Sequence, residues 1–212
     1  MQTIVRSILV LAAASAACFA QRWEFGGAAG AGFLNTVAVT SPLGAATTGF
    51  QSGASFGAFF GQNLYPHLSG EVRYAYLQSN LRIQSGGSQT TFAGASHVAH
   101  FDLVVHTNRK GSRAQYFAAF GGGLKIFRGT GKEAAYQPLS QFAYFTRTQV
   151  VKPMASVGGG VKFALAPHVI LRTEIRDYIT AFPKEVIAPA PGAKFGSLLH
   201  DLVPMAGISY EY

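Results

Sequence analysis

The sequence contains little charge, one cysteine and no long hydrophobic run. Only 12% of the 212 residues are Asp, Glu, Lys or Arg, although 49% are hydrophobic. Beyond the first 20 residues, no segment approaches the roughly 18 consecutive apolar residues that a membrane-spanning helix requires. The hydrophobic residues are spread over short segments, a distribution that favours β-strands over membrane helices.

Motifs for cofactors, nucleotides and metals are also missing from the sequence. No phosphate-binding loop, paired-cysteine motif or dinucleotide fingerprint occurs, and without Cys18 there is no disulfide framework. Three histidines, His97, His100 and His106, fall on both faces of one predicted strand, which is not the arrangement of a metal site. We therefore expect no cofactor and no metal.

Basic residues outnumber acidic ones, with 17 Lys and Arg against 9 Asp and Glu. Without Arg6, which lies in the leader described next, the net charge becomes +7, from 16 bases and 9 acids. A basic balance can indicate nucleic-acid binding, but the sequence has no run of Lys and Arg to support it. We expect no nucleic-acid partner and favour attraction to anionic lipid headgroups.

Residues 1–20 have the pattern of a secretory signal peptide. Arg6 supplies a positive charge, an apolar stretch follows, and small residues precede a cleavage site after Ala20. Cleavage there would leave residues 21–212 as a single domain. Lipidation at Cys18 is the alternative, although Ser15 stands where a lipoprotein signal usually has a large aliphatic residue.

The clearest structural pattern occurs at residues 169–178, with the sequence VILRTEIRDY. Apolar residues alternate with Arg172, Glu174, Arg176 and Tyr178, which predicts a β-strand with one apolar and one polar face. Lipid outside and charged groups inside would explain this pattern in an exported protein. A soluble lipocalin-like barrel, with Leu171 inside, is the alternative.

The whole mature chain can be divided into eight such strands. The predicted strands are residues 22–33, 50–62, 69–83, 91–106, 115–128, 149–164, 169–178 and 197–212. Their connections alternate between long and short, as in outer-membrane barrels, and an even strand number places both termini on the periplasmic side. Pro153 and Pro204 lie inside predicted strands, and we expect them near the outer rim because a closed barrel has no free edge for proline.

Three segments resemble the small OmpA-like outer-membrane β-barrels. Residues 207–212 have Gly207, Tyr210 and Tyr212 in the spacing of the family's C-terminal assembly signal, with Tyr in place of the usual final Phe. Residues 121–125 and 172–178 are similar to its strand patterns. The resemblance implies an all-β, eight-stranded, antiparallel, transmembrane up-and-down barrel in the outer membrane. It also implies the barrel-assembly machinery as a partner.

The inward positions of the predicted strands carry most of the charge. They are Glu24, Glu71, Arg73, His100, Asp102, Lys125, Lys162, Arg172, Glu174, Arg176 and Glu211. Because the interior of an eight-stranded barrel is just wide enough for side chains to fill it, we expect these charges to pair and plug the lumen. A narrow channel for ions or small solutes, opened when pairs rearrange, is the alternative.

Aromatic residues on the outward faces predict contacts with the membrane interfaces. Trp23, Phe25, Tyr74 and Tyr116 are expected at headgroup level together with Tyr210.

A lipid A-modifying enzyme is a further alternative, because His67 and Ser69 could supply a base and a nucleophile. The expected position of this pair at a periplasmic turn, away from the outer leaflet, argues against that chemistry.

We therefore expect a monomeric, non-enzymatic outer-membrane protein with a structural or surface-interaction role. It would contact outer-membrane lipid and lipopolysaccharide and display four extracellular loops. The sequence does not identify what the loops bind.

Overall fold

The computed structural model describes residues 22–107, 112–130 and 137–212. The predicted leader, its cleavage site and the possible lipidation site at Cys18 lie outside these ranges. No helix long and apolar enough to span a membrane occurs in the described part of the chain.

Eight long antiparallel strands close into a barrel, as predicted. They are β1 (Trp23–Gly32), β4 (Gly53–Tyr65), β5 (Leu68–Gln78), β8 (Ala95–His106), β9 (Ala114–Arg128), β11 (Gln149–Ala166), β12 (Val169–Ala181) and β15 (Leu198–Glu211). Each strand pairs with its neighbours in chain order, and β1 closes the sheet by pairing with β15. The fold is therefore an up-and-down barrel without a free edge.

The seam between β1 and β15 depends on close backbone contact. Trp23 and Tyr212 exchange two backbone hydrogen bonds of 3.1 and 2.8 Å, and Gly207 pairs with Ala28. A Cβ atom added to Gly207 would lie 2.2 Å from the Gly27 carbonyl oxygen. Gly207 is required because no larger residue would allow the two terminal strands to approach this closely.

Side chains alternate between the lumen and the outer surface along the barrel strands. On β12, Arg172, Glu174 and Arg176 are buried, whereas Ile175 is 45% exposed on the outside. Phe101 and Leu124 are also half exposed on the outer surface. The apolar face is thus outside and the charged face inside, which is the reverse of a soluble lipocalin-like barrel.

The two prolines occupy different positions in the barrel. On β11, Pro153 directs its nitrogen toward β12, but the β11–β12 ladder begins only at Met154, so no donor is needed there. Pro204 lies deeper than predicted, opposite Ile175 in the middle of β12, and its nitrogen faces β1. The β1–β15 ladder is accordingly interrupted after the Gly30–Met205 pair and resumes as one bridge.

The four long connections contain further strands, in segments that the sequence pattern predicts as loops or as ends of barrel strands. They hold β2 (Thr36–Ser41), β3 (Gly44–Gln51), β6 (Asn80–Ser85), β7 (Ser88–Phe92), β10 (Ala143–Phe145), β13 (Ile187–Pro189) and β14 (Lys194–Phe195). Five of these form a sheet in the order β14-β2-β3-β6-β7, and β10 pairs with β13. We call this end of the barrel the capped end and the opposite end, with the chain termini, the terminal end.

An apolar core fills the space beneath the cap. Val39, Phe50 and Ile83 from the five-stranded sheet are fully or almost fully buried, together with Phe145 and Ile187 from the other connections. The same core continues into the upper lumen, where it includes Leu77, Val98, Phe127, Leu199 and Val203. The cap is therefore an ordered part of the fold that packs on the barrel.

The close contact at the β1–β15 seam predicts that Gly207→Ala will destabilise the barrel. We expect a loss of about 1–3 kcal/mol in the free energy of unfolding, because the added methyl group forces the two strands apart. Gly27→Ala is the matched control, since a Cβ atom there would meet only the Gly57 oxygen at 3.6 Å. Urea titration, followed by the mobility of unboiled protein on gels, measures both variants, and equal stabilities would contradict the seam as described.

Candidate functional site in the barrel lumen

The lumen contains the side chains that alternation predicted to lie inward. Ten of the eleven predicted residues are buried, namely Glu24, Glu71, Arg73, His100, Asp102, Lys125, Lys162, Arg172, Glu174 and Arg176. Glu211 differs, because its side chain remains 20% exposed at the terminal end. The closed barrel brings the ten buried residues together although they come from six different strands.

Three arginines and two glutamates form the centre of the lumen. The guanidinium of Arg172 donates to both Glu71 oxygens, at 2.5 and 3.2 Å, and its Nε donates to Glu174 at 3.1 Å. Arg73 donates to the same two carboxylates, and Arg176 adds longer bonds of 3.3 Å to each. Each carboxylate is thus shared by three cations, an arrangement that compensates the cost of burying charge.

Aromatic rings hold the guanidinium planes of this centre. The Arg172 guanidinium carbon lies 4.5 Å from the ring centroids of both Phe59 and Phe117. Arg73 lies 4.9 Å from the Phe59 ring. Cation–π contacts of this kind add attraction and fix the plane of each guanidinium, so the centre has little space for side-chain rearrangement.

Below the centre, toward the terminal end, Glu24 links several groups. It accepts hydrogen bonds from Lys162 at 2.5 Å and from the Ser209 hydroxyl at 2.7 Å, and it lies 3.9 Å from Arg172. Glu211 instead accepts a bond of 3.0 Å from Asn63 and approaches Arg22 at 3.9 Å. The structure therefore separates Glu211 from the buried network and places it at the rim.

Above the centre, toward the cap, two further ion pairs complete the network. Lys125 pairs with Asp201 across the lumen, and Arg176 pairs with Asp102. Asp102 also lies 3.0 Å from Nδ1 of His100, whose ring packs edge-on against buried Tyr178. The ionic layer thus reaches the underside of the apolar core.

The buried charges of the lumen balance. Five bases (Arg73, Lys125, Lys162, Arg172 and Arg176) face five acids (Glu24, Glu71, Asp102, Glu174 and Asp201) among the described residues. Asp201 and Ser209 were not among the predicted lumen residues. On this strand the even-numbered positions, such as Tyr210 and Tyr212, face outward. The odd-numbered positions, which include Ser209 and Asp201, therefore face the lumen, so the alternation itself indicates both.

The histidine and serine considered for catalysis do not contact each other through their side chains. Nδ1 of His67 lies 3.0 Å from the His106 carbonyl oxygen. The Ser69 hydroxyl donates to Asn63 at 2.7 Å and lies 3.0 Å from Nε2 of His106. Ser69 and His106 are both buried at the terminal end of the lumen, while His97 faces outward.

The predicted interfacial aromatics lie on the outside of the barrel. Phe25, Tyr74 and Tyr116 are each about half exposed, and Trp23 stacks on Phe60 with a centroid distance of 5.0 Å. Tyr210 is 39% exposed and packs against Phe25. Tyr74 lies further along its strand toward the cap, whereas the other four predicted rings lie near the terminal end.

Comparison with known proteins yields matches in structure alone. No protein-family model and no curated protein sequence matches the chain. Neisserial surface protein A matches with a TM-score of 0.54 and 13% identity, covering 90% of this chain and 97% of that one. The outer membrane protein OprG from Pseudomonas aeruginosa matches with a TM-score of 0.58 and 12% identity, covering 91% and 95%.

The chain has the fold of the small eight-stranded outer-membrane β-barrels. At these identities the likeness shows the fold and leaves function to the residues themselves. The neighbours support a transmembrane placement of the barrel, which agrees with its apolar outer face.

The lumen chemistry is that of charge pairing. No group of three or more His, Cys, Asp or Glu side chains among the described residues could hold a metal ion. The carboxylates of the centre already accept hydrogen bonds from several cations each, so their lone pairs are largely used. The arrangement is suited to filling and stabilising the lumen.

The central network predicts that Arg172→Gln will be strongly destabilising. We expect a loss of about 3–5 kcal/mol, because Glu71 and Glu174 would each lose a buried partner. Arg128→Gln removes the same charge from an exposed position and should change stability by less than about 0.5 kcal/mol. Denaturant unfolding in lipid vesicles measures the difference, and similar small effects in both variants would show that the network adds little.

Proposed function

We propose that the chain is an integral outer-membrane protein with a closed lumen, which anchors an ordered extracellular cap at the cell surface. In this assignment the capped end is extracellular and both termini are periplasmic. The protein acts as a monomer, without enzymatic activity, and its role is structural or one of surface interaction. The observation that carries this proposal is the neutral, fully buried ion network beneath an apolar core.

Two features support a lumen that does not conduct. The centre is filled by three guanidinium groups, two of which are stacked on aromatic rings. An ion passing this layer would have to displace paired charges, and breaking a buried pair is costly. Above it, the apolar core that includes Phe127, Val203 and Leu199 would have to admit water.

A narrow channel is the competing function, and conductance in planar lipid bilayers distinguishes the two. We expect no steady current from the refolded wild-type protein, because the ion network and the apolar core would both have to open. An open porin reconstituted in the same bilayers is the positive control. A reproducible single-channel conductance from wild type would replace the anchor with a channel.

The position of the serine and histidine at the terminal end supports a non-enzymatic role. Nucleophilic catalysis requires a hydroxyl that a substrate can reach and a base that takes its proton. Ser69 is 5% exposed, and its hydroxyl donates its proton to Asn63 and not to Nε2 of His106, which lies 3.0 Å from the same oxygen. A lipid substrate approaching from the membrane would meet the barrel wall before reaching this hydroxyl.

The assigned orientation predicts which end can be labelled in intact cells. Leu43, at the tip of the β2–β3 hairpin, is 72% exposed at the capped end, and Leu165 is 60% exposed at the terminal end. A membrane-impermeant maleimide should label Leu43→Cys in whole cells, but should label Leu165→Cys only after the outer membrane is permeabilised. Wild type is the negative control, because its one cysteine, Cys18, lies in the predicted leader. The reverse labelling pattern would invert the orientation.

A further inference from the structure

The five-stranded sheet of the cap extends one side of the barrel wall. Strand β6 comes directly after β5 in the chain, and β7 comes directly before β8. The pair β6–β7 continues the β5–β8 ladder in the same register, so that Leu81–Phe92 is the next ladder pair beyond Gln78–Ala95. Strand β3 joins this extension by pairing with β6, and β2 and β14 complete it. Its inner face packs into the apolar core, and its outer face continues the lipid-facing surface of the barrel.

The outer face of this extension differs sharply in chemistry from the wall below it. Apart from the small residues Ala38, Ala45 and Gly49, cross-strand pairing places one set of side chains together on it, namely Thr36, Thr40, Thr47, Arg82, Gln84, Gln89, Thr91 and Lys194. These are hydroxyl, amide and cationic groups, without a carboxylate or a large apolar side chain. Below them the wall carries Phe56, Tyr74, Tyr76 and His97.

This change of chemistry marks the level at which the wall leaves the hydrocarbon. Tyr74 and Tyr76 pack against His97, and the Tyr74 hydroxyl lies 2.7 Å from the His97 ring nitrogen. Amphipathic rings of this type are found at the membrane interface. Arg82 follows Tyr76 by six residues, or about 20 Å along an extended chain, which places it well above that interface.

The charge at the capped end is strongly unbalanced. Among the described residues, six bases (Arg82, Arg128, Arg147, Lys152, Lys184 and Lys194) accompany one acid, Glu185. Glu185 is already engaged, because a hydrogen bond of 2.6 Å from Lys152 holds the pKa of its carboxyl below the usual range. One further described acid, Asp177, lies on the outer wall and contacts His200. Because the buried charges of the lumen cancel, most of the net positive charge of the described residues lies at the two ends, and the capped end carries the larger share.

The cations on the outer face remain available to an external anion. Arg82 is partly exposed, and one of its two terminal nitrogens donates to Gln84. Lys194 is exposed on the edge strand, with Thr40 opposite it. Arginine and lysine beside neutral hydroxyl and amide groups form a surface that can bind phosphate oxygens and sugar hydroxyls together.

We propose that this outer face binds the phosphorylated sugars of the glycolipid in the surrounding outer leaflet. The inference rests on the orientation given under the proposed function, because it requires the capped end to be extracellular. The sheet faces sideways, as a continuation of the lipid-facing wall, so the sugars of neighbouring glycolipids lie directly opposite it. The cations meet their phosphates, and the threonine and glutamine side chains meet their hydroxyls.

The composition of the face also argues against other anionic partners. Single-stranded nucleic acids bind through stacking on aromatic side chains, and the face presents none. A protein interface would be expected to contain a buried apolar or aromatic centre, which is also missing from this set. A polyanion bound by charge and hydroxyl groups fits best, and the lateral position of the face favours a membrane glycolipid over a soluble chain.

Binding of deacylated core oligosaccharide tests the proposal without interference from acyl chains. The oligosaccharide is prepared from lipopolysaccharide with its phosphates intact, and a second sample is dephosphorylated enzymatically. Titration into the refolded full-length protein in detergent should show about tenfold weaker binding after dephosphorylation. The double variant R82Q/K194Q should show a similar loss, whereas Lys184→Gln, which removes one positive charge elsewhere at the capped end, should stay within about twofold.

The outcomes separate this inference from the proposed function. All variants are first checked for barrel formation by the mobility of unboiled protein, so a loss of binding is not a loss of folding. Equal affinity for both oligosaccharides, or equal losses in R82Q/K194Q and Lys184→Gln, would overturn the site while leaving the closed anchor intact. Tighter binding of heparin, a soluble sulfated polysaccharide, than of the phosphorylated oligosaccharide would overturn the choice of partner.

Discussion

Closure of the β-sheet is the constraint on which the rest of this structure depends. In lipid every backbone donor and acceptor must be satisfied within the protein, and a sheet achieves this only when its first and last strands pair. Here that pairing joins β1 to β15, with Gly207 allowing the close approach and Trp23 and Tyr212 completing the ladder. Closing eight strands also fixes a narrow interior, so every inward side chain must find a partner inside it.

The neutrality of the lumen follows from that narrow interior. A charge buried without compensation would shift its protonation or destabilise the fold, and the five acids and five bases avoid this by sharing partners. Glu71 and Glu174 each contact Arg73, Arg172 and Arg176. Because the interior charges cancel, the net positive charge of the protein is displaced to its ends, where it can contact the surroundings.

The alternation of the barrel strands was sufficient to predict which side chains face the lumen, but not what covers it. Arg172, Glu174 and Arg176 belong to a pattern with a strict period of two over ten residues. When the outside of the barrel is lipid, the charged face of such a strand must point into the lumen. In the five-stranded sheet of the cap, four of the five strands have six residues or fewer. Val37 and Val39 alternate over too few residues among Thr and Ala to distinguish a strand from a polar loop. The expectation that Pro204 lies near the rim was wrong, although the predicted strand already had this residue near its midpoint. What the local pattern does not contain is the interruption of the β1–β15 ladder that accommodates the proline.

The cap and the ion network depend on each other. An apolar core that excludes water lowers the local dielectric, which strengthens paired charges and raises the cost of any polar group left unpaired. The boundary between the two layers contains Tyr178, His100 and Asp201, each of which has a buried polar atom without a protein partner among the described residues. Below this boundary each carboxylate of the centre is shared by several cations, whereas the boundary itself contains the Lys125–Asp201 pair, the contact between His100 and Asp102, and the packing of Lys125 against Phe127. The boundary therefore has fewer ion pairs than the centre, and among the described residues it holds unpartnered buried polar atoms that the centre lacks.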